Sequence, residues 1–130
     1  KTSKDIRLEK LTPGSPRLYD SKPLRKIAEV SSALDGFQFT SIPQRIDISY
    51  QLTVNKPAPI YVFGFRANTH ISRKDIFGDQ ASKWEDADQA IKGINITRVF
   101  RRQAQAGEVI DIKWFEASIA APSIELDQKP

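Results

Sequence analysis

Four aspartates, Asp75, Asp79, Asp86 and Asp88, fall in one irregular stretch of this chain, and their carboxylates are the first residues to weigh for chemistry. Hard oxygen ligands grouped in this way suit a structural Ca²⁺. Their spacing is not that of an EF-hand loop, and solvated acids beside a helix start are the simpler reading. The same acids could in principle provide the paired carboxyl groups of a glycosidase, but nothing in the sequence fixes their separation or raises the pKa of one of them. His70 is the sole histidine and there is no cysteine, which excludes a multi-histidine or cysteine zinc site and all thiol chemistry. The six glycines are scattered, with no phosphate-cradling spacing, so a nucleotide cofactor is not expected. No catalytic centre emerges, and the chain reads as a non-enzyme that needs no cofactor.

Aromatic residues carry more information. Sugar rings present apolar C–H faces that stack on Trp and Tyr, while arginines and amides take the hydroxyls or carboxylates. Trp84 and Tyr19 are the candidate platform, with Arg66 and Arg73 as polar partners. For Trp84 a packing role competes, because it opens an amphipathic pattern with Ala87 and Ile91. Trp114 shares a face with Ile110 and Ile112 and belongs to the core.

Charge is a weak guide. The net charge is +4, with 16 acidic residues interspersed among the basic ones. The densest basic spots are Lys22, Arg25 and Lys26, then Arg98, Arg101 and Arg102, and neither forms the continuous arm of a phosphate binder. A nucleic-acid partner is therefore not expected, whereas an anionic polysaccharide remains one class of ligand that the basic balance would favour. With 39% hydrophobic residues the chain is too apolar to be disordered. No apolar run approaches the roughly 20 residues of a membrane span, and the first residues K-T-S-K-D are not a signal peptide. The 130 residues suit one domain, residues 1–130, and the Lys start with no methionine anywhere suggests a processed form or a piece of a longer protein.

The elements that would position these groups are strands. In residues 46–54, Ile46, Ile48, Tyr50, Leu52 and Val54 alternate with polar residues, the pattern of a half-buried strand. In residues 60–66, Ile60 and Val62 face one way and Tyr61, Phe63 and Phe65 the other, so this strand is apolar on both faces and belongs inside a sheet. If the aromatic row is not covered by the long region 67–93, it marks a docking strip for another domain. Further strands are expected at 5–11, around Leu18-Tyr19, at an edge ending in Val30, at Phe37 and Phe39, at 94–102 with Ile96 and Phe100 on one side, at 108–116, and at 118–126. Ala106-Gly107 signals a hairpin. Ser82-Lys83-Trp84-Glu85 matches a capping box and predicts one short helix around residues 83–91. About eight or nine strands with one helix predict an all-β, antiparallel two-sheet β-sandwich, with jelly roll the first choice.

Taken in order, Leu18-Tyr19, the charged strand ending in Val30, Leu34-Asp35-Gly36-Phe37-Gln38-Phe39, the alternating strand 46–54, Ile60-Tyr61-Val62, Trp84, Phe100-Arg101-Arg102 and Ala106-Gly107-Glu108-Val109 form a recognisable series. It resembles the galactose-binding-like β-sandwich domains that serve as accessory modules in secreted bacterial polysaccharide-degrading enzymes. Ser31 and Ser32 stand where those domains usually carry a proline. The resemblance implies a jelly roll, a secreted or periplasmic setting, and a non-catalytic role in binding poly- or oligosaccharide or in supporting a neighbouring catalytic domain.

Overall fold

The structure, a computed structural model, describes residues 6–20, 25–43, 50–65, 72–93, 96–112 and 117–124. Its centre is the doubly apolar segment foreseen from sequence. The strand spans Ala58–Gly64 and is the sixth in chain order, β6, after β1 (Arg7–Lys10), β2 (Pro16–Leu18), β3 (Arg25–Val30), β4 (Gln38–Ser41) and β5 (Tyr50–Thr53). The one α-helix among the described residues, α1 (Arg73–Phe77), follows, continued by a 3-10 turn at Gly78–Lys83. The chain then forms β7 (Glu85–Asp86), β8 (Ile91–Gly93), β9 (Arg98–Ala104), β10 (Val109–Ile112) and β11 (Ser118–Ala121). The molecule is thus mostly β, with antiparallel sheets.

Six strands form the main sheet in the order β1-β4-β11-β6-β9-β7. β6 lies between β11 and β9, which is why it tolerates apolar side chains at nearly every position. Pro59 is paired only with Gln103 of β9, because β11 joins β6 no earlier than Tyr61. The proline ring therefore sits where one side of the strand needs no ladder bond.

At its centre, along β6 and β11, both faces of the sheet are dry. On one, Ile60, Val62, Phe100, Ala104 and Ile119 pack with Leu52 and Ile110 from the two-stranded sheet β5-β10, and with Trp84. On the other, Tyr61, Phe63, Val99, Phe39 and Ala120 pack with Ile27 and Ile91 from the three-stranded sheet β2-β3-β8, and with Leu34 and Phe37. A smaller antiparallel sheet thus covers each face of the large one. The aromatic strip is covered, with Tyr61 at 8% exposure and Phe63 at 0%.

Phe65 departs from the expected row. Gly64 and Phe65 both take positive φ, 127° and 76°, and this turn of the backbone breaks the two-residue alternation. Phe65 consequently joins the opposite face, edge-on to Phe100 at 6.2 Å.

Several expectations are corrected. The helix lies at residues 73–77 and not at 83–91, because the capping box is made by Ser72 and Asp75. The Ser72 hydroxyl accepts from the Asp75 amide, and the Asp75 carboxylate from the Ser72 amide. Trp84 has extended backbone, and Glu85 and Asp86 pair with β9. The segment therefore wraps the sheet edge, with Phe77 and Trp84 on one face and Ala87 and Ile91 on the other. β3 is the middle strand of its sheet and not an edge. Ile96 precedes β9 and packs on the face opposite Phe100. Gln105-Ala106-Gly107 does turn the chain, but it carries it from the main sheet to β10, whose partner is β5, so no hairpin ladder forms. The described residues contain eleven strands.

Candidate functional site

Beside the wrap, α1 and the following 3-10 turn stand over the end of β9 and the start of β10. This creates a cleft of about 310 Å³. Its apolar lining includes Ile76, half-buried Phe77, Trp84 and exposed Val109, and its polar wall is Arg102, Glu108, Gln80 and Asp111. Phe77 and Trp84 are stacked, with ring centroids 4.2 Å apart and planes within 6°. Phe100 meets Phe77 edge-on at 5.5 Å.

Arg102 is the electrostatic centre of the cleft. Its side chain is 8% exposed, it donates to a Glu108 carboxylate oxygen, and its guanidinium carbon lies 5.6 Å from the centre of the Trp84 ring. Arg102 Nε has no hydrogen-bond partner among the described residues. The other Glu108 oxygen accepts from the Gln105 amide at 2.6 Å. That backbone bond and then the Arg102 bond hold the Glu108 carboxyl below the usual carboxylate range. Asp111 is itself engaged, accepting from the Gln51 amide at 2.6 Å.

The residues singled out from sequence fall in different places. Trp84 lines the cleft, but at 2% exposure with Phe77 against its ring it supports the wall and offers no open platform. Tyr19 is half-buried on the β1 side of the molecule, and the Arg7 guanidinium covers its ring at 3.7 Å. Arg73 donates to the Trp84 carbonyl at 2.5 Å and so ties α1 to the start of the wrap. Arg66, His70 and Trp114 lie outside the described residues.

The acids are dispersed in role. Asp75 caps α1, and the Ser72 amide followed by the Ser72 hydroxyl holds its carboxyl below the ordinary value. Asp86 pairs with Arg98 at 2.8 Å, while Asp88 accepts from the Val99 amide at 2.8 Å. Asp79 is exposed on the 3-10 turn. Among the described residues no three His, Cys, Asp or Glu side chains are grouped to hold a metal ion. The basic spot at 98–102 is matched residue by residue, since Arg101 pairs with Glu85 and Arg102 with Glu108. No described helix is long and apolar enough to cross a membrane.

Phe77, Gln80, Arg102, Glu108 and Asp111 carry no signal as a group in the sequence. They come from three separate segments, and only the crossing from β9 to β10 beneath α1 assembles them. No protein-family model, curated protein or solved structure matches the chain.

Proposed function

We propose that the chain is a non-catalytic β-sandwich module of jelly-roll type, the accessory part of a secreted polysaccharide-processing protein, which binds oligosaccharide in the Phe77–Arg102 cleft. The observation that carries this reading is the pairing of two walls, a half-buried aromatic ring backed by Trp84 and a fringe of planar polar side chains. An apolar ring suits the C–H face of a sugar, and carboxylate, guanidinium and amide groups match its hydroxyls.

A hydrolytic role draws no support from the same cleft. Glycosidic cleavage needs one carboxyl with a raised pKa to act as acid, whereas the hydrogen bonds to Glu108 push its carboxyl down. Docking of a neighbouring domain through the aromatic strip draws none either, because Phe63 and Phe65 are both 0% exposed.

The test is affinity-gel retention and glycan-array binding by the purified chain, beside Phe77→Ala. Retention by at least one polysaccharide, weakened about tenfold by loss of the ring, is the expected result. Indifference to every neutral and acidic glycan would overturn the reading.

A further inference from the structure

We infer that the ligand of this cleft is a neutral chain of at least two sugar rings, laid across the Arg102–Glu108 pair into an adjoining depression; this rests on the carbohydrate reading above. Two openings share that pair. The first is the cleft. The second is a shallower depression, in which Lys83, Gln103 and Gln105 surround the same Arg102 and Glu108. The pair is therefore the saddle between them. At about 310 Å³ the cleft stands at the lower end of the ~300–1,000 Å³ of small-molecule sites, which suits a single ring. A longer ligand extends over the saddle, where β7 no longer flanks β9 because their pairing stops at Arg101.

Charge selects within the sugars. Arg102 already donates to Glu108, and both Glu108 oxygens are in use. Among the described residues that line the two openings, Lys83 and Arg102 are balanced by Glu108 and Asp111, two charges against two. An incoming carboxylate or sulfate meets a neutralised guanidinium and, at the rim, Asp111. Its one free cationic partner among the described lining residues is Lys83, which is exposed, so water and salt screen the attraction. Gln80, Gln103 and Gln105 are exposed too, and each amide both donates and accepts, the complement of uncharged hydroxyls.

Titration calorimetry on the full chain decides it, using glucan and galactan oligosaccharides of one, two and three rings, and galacturonate oligomers of equal length, each at low and raised salt. Expected is an affinity gain of about tenfold from one ring to two. Binding should not change with salt, and uronates should bind no more tightly. A Gln103→Ala/Gln105→Ala variant, altered only at exposed side chains, should lose that gain and keep its affinity for the single ring. Salt-sensitive preference for uronates, equal affinity for one ring and two, or an undiminished gain in the variant overturns this inference and leaves carbohydrate binding standing. No binding to any of the sugars overturns both.

Discussion

Replacing Glu108 by alanine strands a guanidinium that the fold has largely removed from water. The Arg102 side chain is 8% exposed and that of Glu108 27%. The two halves of this pair should therefore be unequal in cost. Breaking a buried pair from the side that leaves its charge buried costs about 3–5 kcal/mol, and the partial exposure here places Glu108→Ala near ~3 kcal/mol. Arg102→Met leaves a carboxylate that water reaches and that still accepts from the Gln105 amide, so ~1 kcal/mol is expected. The double variant should cost less than the sum of the two, since no charge is then left without its partner. In urea, with a slope of about 1.5–2 kcal/mol per molar, the midpoint followed by far-UV circular dichroism should fall by roughly 1.5–2 M for Glu108→Ala and about 0.5 M for Arg102→Met. The reverse ranking, or a Glu108→Ala midpoint within about 0.3 M of the parent, would refute the view that burial of the cation governs this pair.

Other outcomes follow from single contacts. A Cβ at residue 93 would stand 2.7 Å from the Lys26 carbonyl oxygen and 3.2 Å from the Ile27 Cα, so Gly93→Ala must part β3 from β8; a loss of about 1–3 kcal/mol, read as a lower Tm, is expected, and an unchanged Tm contradicts the close approach. Ser72→Ala removes the cap of α1 at a cost of about 1 kcal/mol, which hydrogen exchange should register as faster exchange at Asp75 and Ile76 with β6 unaffected. The folded-state carboxyls of Glu108 and Asp75 are both held low, so each contribution is complete above the ordinary carboxylate range and fades as pH falls through the lowered value. Stability measured from pH 6 downward should accordingly decline below about pH 4, with a shallower decline in Glu108→Gln.

Much of the strand content was legible because alternation and β-branching act locally. The doubly apolar character of Ile60, Tyr61, Val62 and Phe63 calls for a strand inside a sheet, and β6 lies there. Local pattern does not place the helix, because Ser82 and Glu85 match a capping box as well as Ser72 and Asp75 do, while residues 85–86 are extended and pair with β9. Strict alternation puts Phe65 on the wrong face because it takes no account of positive φ, although Gly64 is the residue that permits such a turn. The cleft was illegible for a different reason. Arg102 and Glu108 are six residues apart, and what encloses them in a cleft is α1 and Trp84, brought over them by a wrap that no local pattern announces.

The position of β11 has a consequence for how the molecule is made. Ser118–Ala121 comes near the end of the described chain, yet it is inserted between β4 and β6. While a ribosome is still delivering the preceding residues, these two strands have an open slot between them, each with a row of unmet amides and carbonyls. The sheet therefore closes late, by entry of a central stave and not by growth at a rim. Until it does, the nascent protein is exposed to capture by any strand of a neighbouring chain.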